Sequence, residues 1–385
     1  MTEQDRCAIC DSDALMRVEG FERLPRVTSD TKPWPAGGSL AVCRGCGAIQ
    51  KPADEHWRAE AAIIYRDYDI YHLSGVSDQP VFSDTGEQEP RARRIVDAAL
   101  RSAVLPAAGR LLDIGCGNGA ALAEFSRALP DWYLYGSELS DKNLPELRRI
   151  KNFGELYTCP VDQIGRKFSV ISMIHALEHM PVPLKALSDA ITCLDPTGTF
   201  VIEVPDVETS PFDLLVADHR MHFSRATLGH LCSRAGLKPD ALTNELLPKE
   251  LTLVARRAPY KPVTSDPRQG ERIARSTIAW LNEVVAAVQS LATKSRIGIF
   301  GTAVAGMALY GAAKDRVTFF VDEDRNRVGR NYEGRPILHP QSAPRDVPII
   351  LALEPQAALR VSTRWAGAGL NFVLLPSCNL VADVG

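Results

Sequence analysis

The sequence predicts an α/β chain in three parts: a small cysteine-stapled module, then two parallel-sheet units. Three observations predict it. Two Cys-x-x-Cys pairs open the chain, Cys7/Cys10 and Cys43/Cys46. From Arg110 onward, short apolar runs alternate with helix-like stretches, the pattern of a mostly parallel sheet covered by helices. A strand, then glycines, then a helix occurs twice, over residues 111–129 and again over 297–310. The length agrees, since 385 residues exceed one ordinary domain and suit two or three.

Composition narrows the class of function. With 45% hydrophobic and 24% charged residues the chain is globular, not disordered. A net charge of −3 supplies no global basic field for nucleic acid or an anionic membrane, so neither is expected as a partner. No apolar run reaches the length of a bilayer span. The start, Met1-Thr2-Glu3-Gln4-Asp5-Arg6, is polar and unlike a secretory signal. The expectation is a cytoplasmic enzyme with a small-molecule substrate.

The cysteines come first in chain order. A two-residue spacer lets both thiolates of a turn face one ion, and 32 residues separate the two pairs. Cys7, Cys10, Cys43 and Cys46 therefore read as a closed four-thiolate zinc site, which is structural because no coordination position stays open. A redox dithiol is the other reading. The five remaining cysteines are expected in the core.

Residues 1–55 read as this zinc module, with little core of its own, and 56–95 as a tyrosine-rich linker that includes Tyr68 and Tyr71 and runs into a helix from Arg91. Residues 96–258 read as the first sheet unit. Its strands are Leu111–Ile114, Trp132–Gly136, Phe168–Met173 and Thr199–Val204, with a helix over Ala120–Leu129. Polar, proline-rich residues 259–270 mark a boundary, and 259–385 form the last unit. It opens on an amphipathic helix through Ile273, Trp280, Leu281, Val284 and Val288. Strands at Ile297–Gly301, Val317–Asp322, Val347–Leu353 and Phe372–Leu375 follow, all read as buried.

Between the first strand and its helix runs Asp113-Ile114-Gly115-Cys116-Gly117-Asn118-Gly119. The glycines let backbone approach a ligand at the strand's carboxyl end. The acid ahead of them resembles motif I of class I S-adenosylmethionine-dependent methyltransferases. That resemblance implies a Rossmann-like fold and assigns S-adenosylmethionine to Asp113, Gly115, Gly117 and Asn118. It places Glu138 on the ribose hydroxyls and Asp162 on the adenine amine. His175, in His175-Ala176-Leu177-Glu178-His179, falls in the loop that closes the pocket, with Glu178 and His179 as further candidates. A nicotinamide-binding unit is the alternative.

The order of zinc module, tyrosine-rich linker, methyltransferase core and second Rossmann-like unit resembles the nucleotide-sugar C-methyltransferases over nearly the whole chain. Gly298-Ile299-Phe300-Gly301, Phe320-Val321-Asp322 and Gly334-Arg335-Pro336-Ile337 are similar to that family's last domain. The resemblance implies a nucleotide-linked ketosugar as substrate, with a base forming an enolate that takes the methyl group. The family's Tyr-His-Glu-His-Phe-Ser segment stands here as His219-Arg220-Met221-His222-Phe223-Ser224, and its Gly-Gly-Ser as Lys249-Glu250-Leu251. His222 is the expected base and His219 a second candidate, with Asp218 to orient an imidazole and Tyr68 and Tyr71 near the sugar. A histidine suits this task, since its pKa lies near neutral pH. A satisfied structural histidine pair is the competing reading, O-methylation the competing chemistry, and a non-catalytic zinc-module binding protein the remote alternative. Gly298, Gly301 and Gly306 are expected to form a structural turn without a second dinucleotide. Oligomeric state is not legible.

Overall fold

The computed structural model of the chain describes residues 6–69, 80–82, 88–102, 105–259 and 266–377. Its central sheet has seven strands: β1 Arg110–Ile114, β2 Tyr133–Ser137, β3 Phe153–Tyr157, β4 Phe168–Ile174, β5 Leu194–Pro205, β6 Leu237–Thr243 and β7 Glu250–Arg257. Their spatial order is 3-2-1-4-5-7-6. The first five run parallel, while β7 is antiparallel to both β5 and β6. Leu111, Leu112, Leu134, Val170, Ile171, Phe200 and Ile202 are buried, as strands covered on both faces require. Strand order reverses between β1 and β4, so ligands are expected beyond the carboxyl ends of those two strands.

The N-terminal module does not stand alone. Leu15–Arg17, Ala41–Cys43 and Ile49–Gln50 form an antiparallel sheet whose fourth strand is Met221–His222, from the segment that follows β5. His222 sits opposite Ile49 in that register. The module's Phe21, Leu24, Leu40 and Val42 share one apolar cluster with Leu281, Val284, Ile299 and Leu309 of the last unit. Its core is thus borrowed from both neighbours, in keeping with the little apolar sequence it carries. The helix Glu55–Arg66 follows, with Asp54 capping its start by accepting from Trp57 N.

The last unit begins with the helix Pro267–Lys294, 28 residues or about 42 Å at the α-helical rise. Asp266 caps it, and Ile273, Ile278, Leu281, Val284 and Val288 form its buried stripe. Behind it lies a six-stranded sheet in the order Asn331–Tyr332, Arg335–Leu338, Val317–Val321, Ile297–Phe300, Ile349–Leu351, Phe372–Val373. All its pairings but the first are parallel. Two expectations need correction here. Phe372 and Val373 form a half-buried edge strand and Leu374 is 52% exposed, because the sheet ends there. Cys159 is also exposed, in the turn after β3.

Candidate active site

The glycine loop lies at the carboxyl end of β1. Gly115, Gly117 and Gly119 all take positive φ, at 75°, 53° and 89°, a region that side-chain-bearing residues rarely adopt. A Cβ on Gly115 would lie 2.7 Å from the Ala176 side chain, whereas one on Gly117 would meet nothing within 4 Å. The loop is therefore packed at its base and open at its tip. Glu138, one residue past β2, accepts from Gly117 N and Leu139 N, each at 2.9 Å. Leu139 beside it is 81% exposed, an apolar side chain that a planar base would cover. Asp113 is buried and accepts from Ser172 Oγ at 2.6 Å. Burial pushes its carboxyl up to about 7, against the Ser172 hydrogen bond. Asn118 is half-buried in the same loop, and Asp162 is exposed on the short turn Val161–Gln163 after β3. An acid for hydroxyl donors, an open glycine tip and an exposed apolar side chain together suit S-adenosylmethionine.

Beyond β5 every residue from 211 to 224 is buried. Module and linker pack around this segment. Ala217 N donates to Val27 O at 2.7 Å, Trp57 Nε1 to Ala217 O at 3.1 Å, and Lys51 N to Arg220 O at 2.9 Å. The expected orienting acid, Asp218, faces elsewhere: it accepts from Ser29 N and Oγ at 2.9 and 2.5 Å and lies 3.3 Å from His179 Nδ1. Asp213 takes the orienting role instead. Its two oxygens accept from His219 Nδ1 at 2.7 Å and His222 Nδ1 at 2.5 Å. Burial opposes the Asp213 charge, yet the two imidazoles hold its carboxyl well below the usual range.

His222 is fully buried with both nitrogens engaged, since Lys51 Nζ lies 2.8 Å from Nε2. Lys51 also donates to Val216 O and His219 O at 2.7 and 3.1 Å. Burial lowers the Lys51 amine to about 7, and burial together with Lys51 lowers His222 to about 4. His222 is thus a neutral acceptor inside a closed network. His179 is the more open imidazole, its side chain 16% exposed, with Tyr65 Oη 3.0 Å from Nδ1. Burial opposes its charge, but Asp218 raises it to about 9.

His175, at the end of β4, takes φ 51° and lies between two carboxylates. Its Nδ1 is 3.2 Å from Glu178 Oε1, its Nε2 3.6 Å from Glu250 Oε2, and Arg91 bonds both His175 and Glu250. Glu203, on β5, is buried beside them with neither oxygen hydrogen-bonded, and burial followed by Glu250 pushes it up to about 7. Tyr68 is half-buried: its carbonyl accepts from Lys142 Nζ at 2.6 Å, and its ring meets Tyr65 edge-on at 6.1 Å. Tyr71 lies outside the described residues. Lys51, Tyr65, Asp213 and Glu203 are the site residues that sequence reasoning missed. The tyrosine-rich stretch was the one available signal for Tyr65.

Cys7, Cys10, Cys43 and Cys46 place their sulfurs within 4.8 Å of one another, with Cys7–Cys46 at 3.6 Å and Cys10–Cys43 at 3.5 Å. Four sulfurs at about 2.3 Å from a central zinc would stand about 3.8 Å apart, so the donor set fits that ion. In the last unit the glycines are taken up by packing: a Cβ on Gly306 would fall 2.0 Å from Gly301 O, and one on Gly298 2.4 Å from the Phe319 ring. Asp322, which closes the second strand there, accepts from Thr302 N and Oγ1 at 3.1 and 2.5 Å. This carboxylate is engaged by its own loop and not held open for a ribose.

Residues 86–242 match a family described as a methyltransferase domain. No curated protein matches the chain. Solved structures similar to it include the mitomycin 7-O-methyltransferase MmcR, at 19% identity over 43% of this chain and 54% of that one, with a TM-score of 0.38. An S-adenosylmethionine-dependent methyltransferase from Clostridium acetobutylicum ATCC 824 is 13% identical over 53% of this chain and all of its own, at a TM-score of 0.37. The magnesium protoporphyrin IX methyltransferase ChlM from Synechocystis PCC 6803 is 16% identical over 43% and 78%, at 0.34. The chain spans about half the length of MmcR. The family match, the strand order and the glycine loop agree: residues 86–242 match a methyltransferase domain, and they hold the first strands of a Rossmann-like sheet. No helix among the described residues is long and apolar enough to cross a membrane.

Proposed function

We propose that the chain methylates a small molecule, a nucleotide-linked ketosugar, at the carbon beside its ketone. The observation that carries this reading is an imidazole cluster, His179, His219 and His222, on the segments that follow β4 and β5, with His219 and His222 buried and His179 partly open. S-adenosylmethionine supplies a methyl group on a positively charged sulfur. Glu138 holds the ribose hydroxyls, Asp113 lends negative charge beneath the loop, and Asn118, Asp162 and His175 line the approach. Methyl transfer from sulfur needs little beyond placement, so these residues act mainly by positioning.

Enolate formation needs a base. In this reading His222 and Lys51 act as one base once substrate opens their closed network: Lys51 Nζ lies 2.8 Å from His222 Nε2, and its pKa of about 7 falls in the working range of a general base. His219 is held by the same Asp213 and completes the pair. Tyr68 borders the sugar. The four cysteines hold structural zinc, whose part is to fix the module that clamps this segment. The last unit closes one side of the substrate cleft, without a second dinucleotide.

One observation favours O-methylation instead: His179 is partly open to a substrate while His222 is sealed. Deuterium wash-in separates the two. Incubated in D2O with a nucleotide-linked ketosugar, a C-methyltransferase exchanges the hydrogen beside the ketone, and His222→Ala abolishes that exchange. Methylation of an offered sugar with no exchange at carbon would establish the O-methyl reading.

A further inference from the structure

Two groups of potential metal ligands lie near the imidazole cluster: Asp213, His219 and His222, and Glu178, His179 and His219. The first is closed. Both Asp213 oxygens are taken by ring nitrogens, and His222 Nε2 is taken by Lys51.

The second is built differently. Glu178, His179 and His219 bring one ligand atom each within 4.8 Å of the others. Glu178 has no exposed surface, and its Oε2 is buried without a hydrogen-bond partner. An orphaned carboxylate oxygen in the interior costs free energy unless a cation or donor meets it. His179 and His219 stand edge to face, with ring centroids 4.6 Å apart. His219 commits Nδ1 to the buried Asp213 at 2.7 Å, while His179 Nδ1 meets Tyr65 Oη at 3.0 Å and lies 3.3 Å from Asp218. No hydrogen bond to His219 Nε2 is formed among the described residues. The Asp213 carboxylate behind Nδ1 fixes the His219 tautomer that presents Nε2 as a lone pair, and metal-bound histidines are held in this way.

We infer that Glu178, His179 and His219 bind one divalent first-row transition-metal ion. Two imidazoles and one carboxylate suit zinc, iron, cobalt or manganese and leave coordination positions open. The 16% exposure of the His179 side chain gives the site its entry. This ion is separate from the four-thiolate zinc and does not rest on the methyl-transfer reading, which stands or falls independently.

The test is metal stoichiometry of the intact chain, with Co(II) as the probe. Cobalt on four thiolates shows sulfur-to-metal charge transfer; cobalt on nitrogen and oxygen shows only d–d bands. The expected result is one Co(II) per chain of the second kind, in addition to any thiolate-bound metal. Glu178→Gln and His219→Ala should abolish that equivalent, and Asp218→Asn should weaken it about ten- to a hundredfold. His222→Ala should keep it. Wild-type protein that takes up no metal outside the thiolate site overturns the proposal. So does loss of the second equivalent in His222→Ala with retention in Glu178→Gln.

Discussion

Glu138 is the residue on which the cofactor reading is most exposed to test. Its carboxylate accepts from Gly117 N in the free protein and, in the proposed function, takes the two ribose hydroxyls. Glu138→Ala should weaken S-adenosylmethionine binding by about 1.5–3 kcal/mol, the scale of hydrogen bonds to a charged group. Thermal stability should barely change, and calorimetric titration beside a melting curve checks both. Asp113 gives a pH signature. Its folded pKa is raised from 3.8 to about 7, so its protonation contributes stability fully present below about 4 and lost as pH rises through 7. A cationic ligand favours the carboxylate, so cofactor affinity should rise as pH climbs through 7, and Asp113→Asn should flatten both trends. Asp213→Ala leaves two imidazoles and Lys51 without a countercharge and should cost about 3–5 kcal/mol in denaturant unfolding. Asp213 was invisible in the sequence because it stands in an apolar run, Pro211 to Leu215. Asp218 looked better because it adjoins His219, yet it stands in a turn at 217–218 and its carboxylate goes to Ser29 and His179 instead.

At the scale of elements, the sharpest contact joins the cysteine knuckle to the long helix. A Cβ on Gly270 would stand 1.9 Å from Gly47 O. Helix propensity alone gains about 1 kcal/mol on Gly→Ala. Here the backbone contact reverses the sign, and Gly270→Ala should lower the melting temperature. An unchanged or higher value would show that helix and knuckle do not meet in this way. The strands β1, β2, β4 and β5 were legible because burial on both faces leaves continuous apolar runs. The hairpin of β6 and β7 was not: β6 is an edge strand interrupted by Lys238, Pro239 and Asp240, and its alternation is faint. Met221–His222 has two residues and no period at all; only its partner Ile49–Gln50 defines it as a strand.

Across the whole molecule, the N-terminal module is part of the candidate site. Through Val27, Ser29, Gln50 and Lys51 it holds the 211–224 segment on one side, and the helix Pro267–Lys294 backs the module on the other. The four cysteines and the glycine loop were readable by spacing, because each motif is local in sequence. The clamp was not, because it joins residues some 170 positions apart, as in Lys51 and His222. Stripping metal with a strong chelator should therefore raise amide exchange across residues 211–224 as well as in the module. Exchange confined to the module would show that the clamp does not depend on the thiolate site.

The most direct measurement is calorimetric titration of the purified chain with S-adenosylmethionine, wild type beside Glu138→Ala. Saturable binding of one cofactor per chain, weakened at least tenfold by the substitution with the fold intact, is the predicted result. A folded wild-type protein that binds no S-adenosylmethionine, or binds it equally well without Glu138, would contradict the assignment of the cofactor to this loop.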